Sequence, residues 1–183
     1  MSLLQEIERY APVNEQEKWD QEMMVQYMLQ HSNYLDRSNV VAHFTTVPWT
    51  LNAAHTKTLM VYHNIYDSWS WIGGHADGVE DLCAVAMREL QEETGVCHSR
   101  LLSREIASIE VLTVFGHMKR GAYVSSHLHF NVSYLAEADE NDPLIVNEAE
   151  NKAVQWWPVE EVLKQSRESW LVEHIYPKLL RRS

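Results

Sequence analysis

The sequence has few of the features that would take it outside the class of compact folded domains. Its cysteines number two, Cys83 and Cys97. That is no disulfide framework, and Cys83 falls inside a segment that reads as helix, whose end a bridge to Cys97 would distort. No apolar run approaches the roughly 20 residues that a membrane helix needs, so no membrane partner is expected. The first turns carry Glu6 and Glu8 where a signal peptide has a basic start and an apolar centre. These absences together lead to the expectation of a cytoplasmic protein. A basic stripe is also missing: the nearest cluster is Lys178, Arg181 and Arg182, in a chain of formal net charge -11. Binding to nucleic acid leans on Lys and Arg at the phosphates, so no nucleic-acid polymer is expected as a partner. A substrate bearing phosphate would need cations to mask the protein's own charge. There is no internal repeat, low-complexity stretch or interdomain linker. Strand and helix patterns do not alternate regularly, which excludes a Rossmann-type sheet.

What is present suits an ordinary globular core. The chain has 183 residues, 45% of them hydrophobic, enough to bury a core without staples. Seven Trp and eight Tyr add core mass and rings that tolerate one wet edge. Residues 1–36 differ from the rest: they are acidic and helix-prone, with helices expected at 2–9 and 15–30. Trp19, Met23, Val25, Met28 and Leu29 are among the apolar residues of the second. This segment reads as a helical extension packed on the core, with a dimer arm or a pocket lid as the alternative, which leaves a homodimer open. Residues 37–183 form the second unit. Strands are expected at 40–47, 58–62, 69–72, 106–115, 124–134 and 154–157. Residues 51–55 and 136–143 read as loops, and 119–121 as a hairpin turn. A site helix is expected at 82–93, a helix start at Pro158, and a closing helix at 170–180 that Pro177 bends or splits. The fold class is α+β, a mixed arrangement of antiparallel hairpins and helices.

The site helix has an unusual polar pattern. Leu82, Val85, Ala86 and Leu90 fall on one face, as in a packed amphipathic helix. Glu89 and Glu93 project from the middle of that same face, and Glu92 lies on its edge beside Arg88. Buried acids are costly unless paired or bound to a metal. The spacing of Glu89, Glu92 and Glu93 brings their side chains together, and one Arg cannot neutralise three Glu. A hard divalent cation such as Mg²⁺ takes carboxylate oxygens well. A solvated acidic helix end is the plain alternative, but such acids would lie opposite the apolar face. Gly73 and Gly74 before the helix let a ligand approach the backbone. Asp77, with Glu80, or Asp81 caps the helix start, and Gly95 supplies its exit.

These residues form a recognisable pattern. Gly74-x5-Glu80-x7-Arg88-Glu89-Leu90-x-Glu92-Glu93-x-Gly95-Val96 resembles the complete box of the Nudix hydrolase family. The resemblance implies a Nudix-like mixed sheet sandwiched between helices, with residues 1–36 outside the common domain. It also implies a metal-dependent hydrolase that cleaves the diphosphate linkage of a small molecule. On that likeness Glu89, Glu92, Glu93 and Gly74 are the metal set, with Mg²⁺ or Mn²⁺ as cofactor. Glu80 is a helper at the loop, and Arg88 orients the glutamates. Gly73 and Gly74 shape the cofactor loop. Glu150, with Glu148 as its rival, is the late-loop acid that reaches the site. An isopentenyl-diphosphate-type isomerase also resembles this pattern, but it needs a catalytic Cys, and neither Cys83 nor Cys97 is well placed. A non-catalytic regulator on the same scaffold would be expected to carry a degenerate box.

Specificity is less legible. His127 and His129 share a strand face with Asn131. Two His so spaced can bind Zn²⁺, but no third ligand is near in sequence, and strand His more often pack or hydrogen-bond. A contact to substrate is the preferred functional reading, and His43, His55, His63 and His75 are treated alike. Trp69, Trp71, Trp156 and Trp157 offer base-stacking surfaces, and core packing explains them equally well.

Overall fold

The structure is a computed structural model and describes residues 1–119 and 121–182. Two helices open the chain, α1 (Leu3–Arg9) and α2 (Glu15–Gln30). Ser2 and Gln5 close a capping box on α1, which satisfies N–H groups the helix cannot. Asn14 caps α2 by accepting from Glu17 N–H at 2.9 Å. Of the apolar residues expected in α2, Met28 is buried, whereas Trp19, Met23 and Leu29 are exposed. The inward face is Glu17, Met24 and Met28.

The sheet is built from β1 (Ala42–Asn52), β2 (Lys57–His63), β3 (Ser68–Ser70), β4 (Gly74–His75), β5 (Ser99–Leu101), β6 (Ser108–Val114), β9 (His127–Ala138) and β10 (Asn151–Pro158). A separate hairpin of β7 (His117–Lys119) and β8 (Ala122–Val124) interrupts the β6–β9 connection. The strand order is β10-β2-β1-β9-β5, with β3 on β2, β4 on β1 and β6 on β9. The central pair, β1 and β9, is parallel, with Ala42 opposite Leu128 and Asn52 opposite Ala138. The sheet is therefore mixed, and hairpins alone do not describe it.

Several boundaries differ from expectation: the strand expected at 124–134 divides between β8 and β9, and three other differences have a pairing reason. Leu51 and Asn52 belong to β1 and not to a loop, because Leu51 pairs with Thr58 and is fully buried. Ala136 and Ala138 belong to β9 and not to the acidic loop, because both pair with β5. Pro158 ends β10, and helix α4 (Val162–Gln165) starts only beyond it. The closing segment is split as Pro177 suggests: a π-helical turn (Leu171–Ile175) leads into α5 (Tyr176–Arg182).

Successive strand residues face opposite sides, and the two sides have different covers. Ala42, Phe44, Phe130 and Val132 pack with Leu3, Ile7, Met24 and Met28, and with Leu82 and Ala86 of α3 (Leu82–Thr94). Trp49, Leu51 and Met60 pack with Val162, Leu171, Ile175, Tyr176 and Leu179. The sheet is thus sandwiched between α1–α3 and the C-terminal helices. Among the described residues no helix is long and apolar enough to cross a membrane.

Candidate active site

Helix α3 is placed by its two ends. Asp81 is the cap and accepts from Ala84 N–H at 3.1 Å. Asp77 is not the cap: it sits at φ 47°, and its carboxylate takes a two-point contact from Arg37 at 2.7 and 2.6 Å. Gly95 ends the helix at φ 75°, a left-handed conformation that costs glycine little. Leu82, Val85, Ala86 and Leu90 are buried, so the apolar face lies where periodicity puts it.

Glu93 projects from that face into the protein. It is 4% exposed and accepts from Gly73 N–H at 3.3 Å and Asn151 Nδ2 at 2.9 Å. Burial pushes its pKa up to about 8, although both hydrogen bonds oppose the shift, and the charges of Glu150 and Glu89 add to it. The Glu89 carboxyl lies against the backbone of Gly74, where a Cβ would collide with it. Burial raises its pKa as well. The Arg88 guanidinium, at 2.9 Å from Glu89 Oε1, acts the other way, and Glu92 and Glu150 reinforce the rise. Arg88 also comes within 3.8 Å of Glu92, which is exposed at the rim.

Glu89, Glu93 and Glu150 are therefore brought to one place, with Glu92 at its edge and Arg88 bridging two of the acids. Glu150 sits at the start of β10, and its charge acts on both Glu89 and Glu93. Glu148 is exposed, and its carbonyl accepts from Asn64. Glu80 is drawn elsewhere: its carboxylate accepts from Leu3 N–H at 3.0 Å, at the start of α1. Asn151 was not singled out by sequence reasoning. Its only signal was its place beside Glu150, directly before the last strand.

A divalent cation fits the residues present. Two acids with raised pKa values, Glu93 buried and Glu89 half-buried, converge beside Gly73 and Gly74, and a Cβ on Gly74 would fill the cradle at Glu89. The buried Asn151 Oδ1 next to Glu93 has no hydrogen-bond partner. An oxygen-rich site that is short of positive charge suits a hard cation.

The histidines form a second cluster. His43 and His129 are partners across the parallel β1–β9 pair, and Thr45, two residues on, pairs with His75. All three rings and His127 therefore share the sheet face opposite α3. The four candidate tryptophans are half-buried and pack on the core clusters: Trp69 meets Trp157 edge to face at 5.4 Å, and Trp71 meets Tyr176 at 5.7 Å. Trp156 packs beside Leu90 and Val96. Cys83 is buried, with Sγ 3.9 Å from the Arg104 carbonyl, and Cys97 is exposed. A cleft of about 400 Å³ lies far along the sheet, lined by Arg100, Glu137 and Glu140 among others. Arg100 and Glu137 already pair there at 3.0 Å, and none of the acids around Gly74 lines it.

The family model for the NUDIX domain matches residues 44–179. Solved structures share the fold at low identity. A NUDIX-family hydrolase from Clostridium perfringens is 18% identical, with a TM-score of 0.53, covering 77% of this chain and 98% of that one. An Ap4A hydrolase from C. elegans is 17% identical, with a TM-score of 0.51, covering 78% and 96%. A dihydroneopterin triphosphate pyrophosphohydrolase from E. coli is 12% identical, with a TM-score of 0.53, covering 76% and 96%. Among curated proteins no sequence relative matches.

Proposed function

This chain belongs to the NUDIX family, and from that premise we propose that it is a pyrophosphohydrolase that hydrolyses the phosphoanhydride of a small nucleoside diphosphate derivative, or a similar compound, with Mg²⁺ or Mn²⁺. The observation that carries this reading is Glu93: a nearly inaccessible carboxyl whose hydrogen-bond partners are neutral and whose neighbouring charges are acids. Keeping such a group is costly to a fold unless a cation joins it.

Glu89, Glu92 and Glu93 would hold the metal, with Gly74 leaving room for them. When bound, the metal supplies charge neutralisation on the phosphoryl oxygens and lowers the pKa of water. The protein's own groups do the rest. Gly73 N–H and Asn151 fix the Glu93 carboxylate, and Arg88 aligns Glu89 and Glu92. With Glu93 and Glu89 so engaged, Glu150 is the acid assigned to take the proton of the attacking water. A bond forms from water oxygen to phosphorus, the bridging P–O bond breaks, and two phosphate-bearing fragments leave.

The relatives' names span a dinucleoside polyphosphate and a pterin triphosphate, which supports a small substrate and not one compound. The net charge of -11 supports the same limit. The test is a product assay across nucleoside triphosphates, nucleotide sugars, dinucleoside polyphosphates and prenyl diphosphates, in metal-free buffer and with Mg²⁺ or Mn²⁺. Two phosphorylated products, lost on chelation and restored by metal, are expected. Full turnover without metal overturns the cofactor assignment. A rearranged prenyl diphosphate points to the isomerase, and salt-sensitive RNA binding with cap cleavage overturns the small substrate.

A further inference from the structure

The four histidines on the β1–β9 face are far apart in sequence and adjacent in space. One nitrogen from each of His43, His75 and His129 lies within 4.8 Å of the others. The ring of His127 is 5.0 Å from that of His43 and 4.9 Å from that of His129. Three separate elements, β1, β4 and β9, supply them.

The hydrogen bonds state which lone pairs are spare. His43 Nδ1 lies 3.0 Å from the Asn39 carbonyl, which only accepts, so that nitrogen carries the proton. Its Nε2 is then a bare lone pair. That atom has no partner, in a side chain only 4% exposed. His127 Nδ1 likewise faces the Ser125 carbonyl at 2.8 Å, which leaves its Nε2 to accept from His129 Nε2 at 3.1 Å. A neutral His129 thus donates through Nε2 and keeps its lone pair on Nδ1. A carbonyl that fixes the tautomer of one ring, and a ring that fixes the next, is the outer-shell arrangement of metal-binding histidines.

We propose that His43, His75 and His129 form a site for a borderline divalent cation of the Zn²⁺ type, with His127 positioning His129. The site is separate from the carboxylate cluster. Gly74 faces α3 and Glu89, whereas His75, the next residue, faces the opposite side of the sheet, so one β-bridge serves both. The ligand chemistries differ too: imidazole selects Zn²⁺ and its neighbours, and carboxylate selects Mg²⁺ or Mn²⁺. Tetrahedral coordination at about 2.0–2.1 Å would draw the nitrogens to roughly 3.4 Å apart, a small rotation of each ring from the present spacing. Phosphate is a poorer occupant, since the cluster offers lone pairs and no donor aimed at its centre from His43.

The test uses the full chain stripped of metal. Zn²⁺ is titrated while the ring ¹⁵N resonances of all histidines are followed, and Co²⁺ is added separately for its visible spectrum. One Zn²⁺ per chain should move the ring nitrogens of His43, His75 and His129 and leave those of His55, His98 and His174 in place. Co²⁺ should give the intense bands of a four- or five-coordinate nitrogen site, and these should persist in the Glu89→Gln, Glu93→Gln double variant. His75→Asn and His129→Asn should each weaken Zn²⁺ by at least the roughly 10- to 100-fold that loss of an outer-shell partner costs. Unmoved ring nitrogens at stoichiometric Zn²⁺ overturn the site, and this readout needs no variant to fold. A Co²⁺ spectrum that is weak and octahedral, or that vanishes with the glutamates, overturns it as well.

Discussion

Glu93 is where stability and chemistry pull in opposite directions. Its pKa in the folded chain is about 8 against an ordinary 4.5, with burial as the first cause. A raised carboxyl pKa means that the folded state binds the proton more tightly than the unfolded one. Its contribution to stability is therefore whole below about pH 4.5 and is lost as pH rises towards 8. The metal-free protein should lose melting temperature across that window, and Mg²⁺ should restore it by binding the ionised form. Glu93→Gln removes the charge and keeps the shape. The variant should melt level with or above the wild type without metal, lose the pH slope, and gain less from Mg²⁺. Turnover should drop about 100-fold or more, as when a central electrostatic group is removed. Near-normal kcat in the variant would take Glu93 out of the site and weaken the assignment of the whole acidic cluster. If Glu93 only served packing, the variant would instead lose metal-free stability and keep its rate.

At the scale of elements, α3 was legible because a helix writes its orientation in its period. The placement of Leu82 and Leu90 on one face carries Glu89 and Glu93 with it, and α3 spans Leu82–Thr94, one residue beyond expectation. What reached beyond one element was not legible. The histidine cluster needs β1 and β9 in parallel register, His43 opposite His129, and no local pattern encodes that pairing. Lys178 reads in the sequence as part of a basic tail, yet it is 2% exposed. Its ammonium reaches Glu17 of α2 at 2.8 Å and Glu110 of β6 at 3.1 Å. Burial pushes the Glu17 carboxyl up, but Lys178, Val13 N–H and Tyr10 together hold it below its ordinary value. Glu110 is raised by burial, against the pull of Lys178, Ser108 and Asn131. Lys178→Met leaves the Glu17 charge buried without its partner and should destabilise by about 3–5 kcal/mol in a urea titration. Replacing the whole group, with Glu17→Gln and Glu110→Gln added, should recover much of that loss. A single variant as stable as wild type would show that the Glu17 carboxylate finds water or another partner on substitution, and would refute the buried pairing.

At the scale of the whole molecule, the family model begins at residue 44, and residues 1–36 raise the question of what the common domain needs from them. Leu3, Ile7, Met24 and Met28 are each buried in the same cluster as Phe44, Leu82, Ala86 and Phe130. Burial of such side chains contributes about 1.5–3 kcal/mol apiece, so four of them amount to roughly 6–12 kcal/mol. Typical domains have only about 5–15 kcal/mol in total. The polar contacts run the same way: Glu17 anchors Lys178, and Leu3 N–H holds the Glu80 carboxylate at the head of α3. We therefore expect residues 37–183, expressed alone, to lack a cooperative melt and to expose the Phe44–Phe130 face to a hydrophobic dye. Added in trans, a peptide of residues 1–36 should restore the melt with a midpoint that rises with peptide concentration, as linkage requires. The opposite outcome is equally readable. If residues 37–183 melt cooperatively near the midpoint of the full chain, the first two helices are an accessory, and the dimer-arm reading of their exposed Trp19, Met23 and Leu29 gains ground. In that case sedimentation of the full chain should show a dimer that the truncated chain cannot form. A monomer in both would leave the packing seen against β6 and α3 as the whole of what those helices do.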